Sequence, residues 1–176
     1  MADLLRGPYK PHEYGRVILP MTVLRRLDCV LEPTKQQVLQ AAKKTKLEAL
    51  LEKAAGQNFY NTSRYDFGKL LADSAGVASN LTHYIHGFSP KARDILERFK
   101  FEGEIARLDE HNLLFQVVKK FATIDLHPER VSNRDMGYVF EDLIRRFSES
   151  RNEQAGDHFT PREVIRLMVN LLFTPD

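Results

Sequence analysis

Tyr14-Gly-Arg-Val-Ile-Leu-Pro-Met-Thr-Val-Leu-Arg-Arg-Leu-Asp28 decides the fold class. In and just beyond it, Val17, Met21, Leu24, Leu27 and Leu31 recur at the spacing of one helical face, with Arg25 and Arg26 off that stripe. Pro20 is expected in the first turn of this helix or at a kink. Pro33 stops it, and Thr34 can cap a second helix running to about Lys44. The same period continues outward. Leu47, Leu50, Leu51 and Ala54 mark a short helix closed by Gly56. Residues 57–66 read as a polar, aromatic loop. Phe67, Leu70 and Leu71 restart a helix, and Val77, Leu81, Tyr84 and Ile85 mark another. Ser89-Pro90 is a cap-proline start followed by Ile95, Leu96 and Phe99, with Gly103 as punctuation. Leu113, Leu114, Val117, Val118 and Phe121 form a compact apolar face.

The strongest helix follows a connector over residues 122–131. Ser132-Asn-Arg-Asp135 opens it as a capping box with Asp in place of Glu. Its expected buried stripe is Met136, Val139, Phe140, Leu143, Ile144 and Phe147, with Glu141–Arg145 and Asp142–Arg146 paired on the wet side. No segment alternates long enough to demand a strand, and there is no internal repeat. The expectation is a mainly α protein: a multi-helix bundle, then one further helix belonging to another unit.

Composition narrows the function classes. The 176 residues are 43% hydrophobic and 28% charged, with net charge +2, which is too mild to argue for nucleic acid from charge alone. Arg25/Arg26 and Lys43/Lys44/Lys46 are local basic clusters; taken singly, each reads as a solvated helix face. Cys29 is the sole cysteine, so no internal disulfide or cysteine metal cluster can form. His83-x-x-His86 has a metal-compatible spacing without a third ligand, so two ordinary histidines are the reading preferred. Phe59, Tyr60, Tyr65 and Phe67 could stack on bases, but packing of the loop against the helices is the reading preferred. No Gly-x-Gly-x-x-Gly or Walker loop occurs, no catalytic residue is assigned, and no metal is expected. No signal peptide or apolar run of membrane-spanning length is present, which points to a cytoplasmic protein.

Chemistry gathers in Gly156-Asp157-His158-Phe159-Thr160-Pro161-Arg162-Glu163-Val164. Thr160 can cap a helix, Pro161 suits its first position, and Glu163 can bond back across the cap. Such a start aims free N–H groups and a positive dipole end at a carboxylate or phosphate. His158 and Phe159 add flat surface beside it. The helix runs from Pro161 to about Leu172 with Val164, Leu167, Met168 and Leu171 inward.

This stretch resembles the motif that precedes the S-adenosylmethionine fold in amino-group DNA methyltransferases, most closely the modification (M) subunit of type I restriction–modification systems. Tyr14–Asp28 resembles the opening helix of that subunit's N-terminal domain, and Gly137-Tyr-Val-Phe-Glu-Asp-Leu-Ile-Arg-Arg-Phe147 resembles its linking helix. Three motifs in order span essentially the whole chain. The resemblance implies an N-terminal helical domain over 1–154 and, over 155–176, the first helix of a Rossmann-like methyltransferase domain that is truncated here. It implies S-adenosylmethionine contacts from Asp157, His158, Phe159, Thr160, Pro161 and Arg162, in the full-length subunit only.

The family's glycine-rich loop and its Asn-Pro-Pro-aromatic motif are absent from these residues, and no Asn-Pro dipeptide occurs. The chain is therefore expected to be the inactive N-terminal portion of an adenine-N6 DNA methyltransferase subunit. In that family methyl transfer requires the base to be flipped from the duplex. The implied partners are the specificity subunit, a second M subunit, the restriction subunit and double-stranded DNA. Arg25, Arg26, Lys43, Lys44 and Lys46 are the phosphate-contact candidates. Two other readings stay open: a stand-alone helical protein-interaction module, and part of a related single-chain restriction–modification methyltransferase.

Overall fold

Helix α2 (Gly15–Leu31) is the mast around which the other elements pack. Its apolar stripe is buried as its spacing predicts, with Val17, Met21 and Leu24 fully enclosed. Pro20 lies inside this helix rather than in its first turn, so the Arg16 carbonyl has no i+4 amide to accept from. The computed structural model describes residues 1–152. Ahead of α2 come a short helix, α1 (Ala2–Leu5), and a 3-10 turn, Pro11–Glu13. After it follow α3 (Lys35–Ala42), α4 (Glu48–Ala55), α5 (Phe67–Leu70), α6 (Val77–His86), α7 (Pro90–Arg98), α8 (Phe101–Glu110), α9 (Leu114–Ala122) and α10 (Asn133–Asn152). No strand occurs among the described residues, and none of their helices is long and apolar enough to cross a membrane.

α2 packs against α8, α9 and α10, while α6 packs against α5, α7, α8 and α9. One continuous core results, running from Leu5 and Tyr9 through Leu24, Leu81 and Tyr84 to Val117 and Phe121. The expected helices are present, with instructive differences. Gly103 does not punctuate. The chain breaks earlier, at Lys100, whose backbone is left-handed (φ 51°), and Gly103 rides on the solvent side of α8. Glycine costs a helix about 1 kcal/mol against alanine, and burial of Phe101, Ile105 and Leu108 on the other face offsets it.

Caps divide in the same way. Ser132 supplies half of the expected box: its Oγ accepts from Asp135 N–H at 3.2 Å, while the Asp135 carboxylate takes the Ser132 hydroxyl at 2.6 Å in place of the Ser132 N–H. Thr34 precedes α3 but does not cap it. Its hydroxyl donates to the Ala55 carbonyl at 3.0 Å, pinning the start of α3 to the end of α4. Ser89 likewise precedes α7 with no capping bond from its buried hydroxyl.

The connector and α10 are fastened to α2 by Arg26, which is only 7% exposed. Its Nη1 donates to the Leu126 carbonyl at 2.5 Å and the Val131 carbonyl at 2.7 Å. Its Nη2 donates to Asn133 Oδ1 at 2.7 Å. Beneath this fork Cys29, Leu126 and Met136 form a second small core with Val131 and Phe140 against it. Further along α10, the Phe147 ring lies so near Gly15 that a Cβ there would meet it at 3.0 Å. Val139 and Ile144, expected inside, are substantially exposed. At 100° per residue Met136, Phe140, Leu143 and Phe147 share one direction, and those two flank it.

The N-terminal segment is held by Arg107 of α8. Its guanidinium sits 4.1 Å from the Tyr9 ring centroid, donates to the Pro8 carbonyl, and pairs with Glu13 Oε1 at 3.1 Å. The Lys10 N–H donated to Glu13, then the Arg107 charge, hold the Glu13 carboxyl down at about 2.

Arg26→Lys should cost about 2–4 kcal/mol of stability, because one ammonium cannot reach all three acceptors and leaves buried carbonyls unpaired; urea unfolding checks this. Glu13 is favoured ionised in the folded state. Its contribution is therefore complete above its unfolded value near about 4.3 and is lost as pH falls through about 2. Glu13→Gln should lower the urea midpoint at neutral pH, and the gap to wild type should close as the pH falls through that window.

Candidate functional site

The segment that carries the expected cofactor contacts, Asp157, His158, Phe159, Thr160, Pro161 and Arg162, lies outside the described residues. What the structure shows is the helix that leads toward it. α10 leaves from the Ser132 cap, seated on α2 at Met136 and again at Phe147. Its outer face is laced by ion pairs: Arg146 to Asp142 at 2.6 Å, and Arg145 to both Asp142 at 2.5 Å and Glu149 at 3.2 Å.

The five cations singled out as phosphate contacts split into two groups. Arg25 and Arg26 turn inward. Arg26 has spent its fork on the connector. Arg25 donates Nε–H to the Ile124 carbonyl at 2.8 Å and Nη1–H to Asp28 Oδ2 at 2.8 Å, with its guanidinium 5.5 Å from the Phe67 ring centroid. Neither is a surface cation that a duplex backbone could reach. The physical reason is the stripe itself: on a helix packed against three others, positions just off the apolar face are still inside.

Lys43, Lys44 and Lys46 turn outward. They lie on the turn between α3 and α4, are exposed, and make no ion pair with any described residue. The turn is set by Thr45, whose Oγ1 accepts from Leu47 N–H at 3.1 Å. Lys43 borders a shallow groove that also carries Gln36, Gln40, Thr62 and Arg64. Arg64 is exposed, stacks on its neighbour Tyr65 at 4.8 Å, and donates to the Tyr65 hydroxyl at 2.6 Å. Cations and amides without facing carboxylates suit a phosphate backbone. Arg64 escaped sequence reasoning because a lone arginine in a 57–66 loop carries no pattern. It joins Lys43 only through the fold, where Lys35 of α3 donates to Asn61 Oδ1 at 3.1 Å and Thr62 N–H donates to the Gly87 carbonyl at 2.8 Å.

The remaining candidates are internal. Phe67 and Tyr60 are buried, and Phe59 and Tyr65 pack at the edge of the core, as the packing reading holds. His83 and His86 have separate partners, Ser63 Oγ at 2.8 Å and Glu102 Oε1 at 2.9 Å. Cys29 is buried, which pushes its thiol above the ordinary value.

Comparison with known proteins gives these elements a context. Residues 1–121 match the family described as HsdM N-terminal domain, and residues 131–176 match the family described as N-6 DNA Methylase. The Type I restriction enzyme MjaIX methylase subunit of Methanocaldococcus jannaschii is 20% identical over 192 residues, an alignment covering 98% of this chain. The chain spans 34% of that relative's length. No solved structure matches the chain significantly. With a helical unit over the matched residues and a second family match beginning at the Arg26-held connector, the chain belongs to the HsdM N-terminal domain family.

Proposed function

We propose that this chain is the N-terminal part of a type I restriction–modification M subunit that methylates adenine N6 in DNA. Its helical domain serves assembly and grips the duplex. The observation that carries the reading is the order of the two family matches along one chain, a helical domain over 1–121 and then a methylase segment over 131–176. Although the methylase match already begins at 131, we propose that α10 belongs with the helical domain, with the boundary at 154/155. The expected partners are a specificity subunit, a second M subunit and a restriction subunit, in a cytoplasmic complex.

S-adenosylmethionine supplies the methyl group in such an enzyme. Asp157, His158, Phe159, Thr160, Pro161 and Arg162 are the proposed contributors of this chain to its site. The helical domain does no bond chemistry. Its part is electrostatic: Lys43, Lys44, Lys46 and Arg64 displace counterions from the phosphate backbone without reading bases.

Binding of the 176-residue chain to a fluorescent duplex should be weak, indifferent to sequence and steeply salt-dependent. Replacing Lys43, Lys44 and Lys46 together by Gln should reduce the log–log salt slope by about 2–3 while leaving thermal unfolding unchanged. An unaltered slope would remove the turn from the DNA-facing surface. In the longer subunit, Phe159→Ala should weaken S-adenosylmethionine binding in calorimetry with the helical domain still folded. Undiminished binding would remove the 157–162 segment from the cofactor site.

A further inference from the structure

Two leucines stand out of the bundle beside the lysine turn. Leu47 is 66% exposed, more than any other large apolar side chain among the described residues, and Leu50 is 48% exposed. Surface leucines scattered singly are ordinary. These two are neighbours one helical turn apart, and Lys43, Lys44 and Lys46 fall in the four positions before them.

Folding does not account for Leu47. It holds the cap position of α4, where Ser, Thr, Asp or Asn would accept a free N–H and where leucine is a poor choice. Its side chain makes no capping bond and buries little apolar surface. Its backbone is nevertheless fixed. The Leu47 N–H donates to Thr45 Oγ1 at 3.1 Å, and its carbonyl accepts from Leu50 N–H at 3.1 Å and Leu51 N–H at 3.2 Å. The side chain is displayed from a pinned turn. Residues that break a local rule with no return in stability are those expected at functional positions.

Charge selects the partner. The three lysines are exposed and unpaired among the described residues, and Arg64 borders the same groove as Lys43. The carboxylates of α4 lie elsewhere. Burial, then the charges of Glu48 and Glu52, push the Tyr60 hydroxyl above its ordinary value, so both carboxylates lie toward Tyr60. That side is about 150° round the helix from Leu47 and Leu50. Exposed leucines beside unpaired lysines suit a polyanion that has an apolar slot. Duplex DNA has one between its stacked base pairs, entered from the minor groove by apolar side chains that unstack a step.

We propose that Leu47 is a minor-groove wedge: Lys43, Lys44 and Lys46 hold the phosphates while the leucine enters a base step, with Leu50 against the adjoining sugars. The wedge rests on the duplex-gripping role proposed above and adds an apolar contact that charge cannot supply. Insertion makes no hydrogen bond to a base edge, so the grip stays without base readout.

The test uses the 176-residue chain and a short A·T duplex carrying 2-aminopurine at its TA steps, which unstack readily. Saturation with the wild-type chain should raise the 2-aminopurine fluorescence. Leu47→Ala should abolish the rise and weaken binding about three- to tenfold. The log–log salt slope should not change, because no phosphate contact is lost. Leu47→Asn gives α4 a better cap. It should unfold no earlier than wild type and still lose the rise, so a damaged fold cannot mimic the effect. No rise with the wild type, or a rise that survives both substitutions, would overturn the wedge while leaving the lysine-dependent salt slope, and the grip, in place. Absence of any salt-dependent duplex binding would remove both. Poly-glutamate offers negative charge without base steps. If Leu47→Ala weakened its binding as much as that of the duplex, the leucine would face a protein, and the wedge would fall.

Discussion

One guanidinium joins two parts of this chain that lie about a hundred residues apart in sequence. Arg26 projects from the central helix into a connector that has no secondary structure of its own, and there it satisfies two carbonyls and the side chain of the first residue of α10. Residues 123–131 form no backbone ladder with the bundle, so their polar groups need a partner from elsewhere. An arginine can serve three acceptors because its donors are fixed in one plane and stay charged when buried. Remove that fork and the small core of Cys29, Leu126 and Met136 loses its lid, and α10 loses its base.

Much of the architecture was legible because helical periodicity reports burial directly. The stripes of α2, α6 and α9 appear where their spacing places them, and Gly56 closes α4 in the left-handed conformation expected of it. What could not be read was the neighbourhood of each helix. Arg25 and Arg26 look like a surface pair until the second layer of helices encloses them. Gly103 looks like a stop until its exposed position makes it tolerable. Thr34 and Ser89 look like caps until the first hydroxyl is found on the Ala55 carbonyl and the second buried without a partner. Local chemistry gives candidates, and long-range packing chooses among them. The same division holds for the site. The Lys43–Lys46 turn is visible as a motif, whereas Arg64 acquires meaning only from residues distant in sequence.

The net charge of +2 conceals this sorting. Cations near the core of the bundle act as struts: Arg26 for the connector, Arg107 for the N-terminal segment, Arg25 for Asp28. Cations without carboxylate partners gather at the turn after α3. A mild total is thus compatible with a local basic surface, because cations elsewhere are matched by carboxylates, both in the struts and in exposed pairs such as Arg93–Glu97 and Arg146–Asp142.

α10 touches the bundle at two well-separated places, Met136 near its start and the Phe147 ring over Gly15. A helix of 20 residues is about 30 Å long. Held at its base alone it would behave as a lever, and a tilt of about 10° would displace its tip by about 5 Å. The second attachment, about 16 Å along, converts the lever into a braced beam. The absent side chain of Gly15 is what lets the ring come close enough to brace it. Aim, and not affinity alone, is what this contact secures: the direction in which the chain leaves the bundle is set by a hydrogen atom where any other residue would carry carbon.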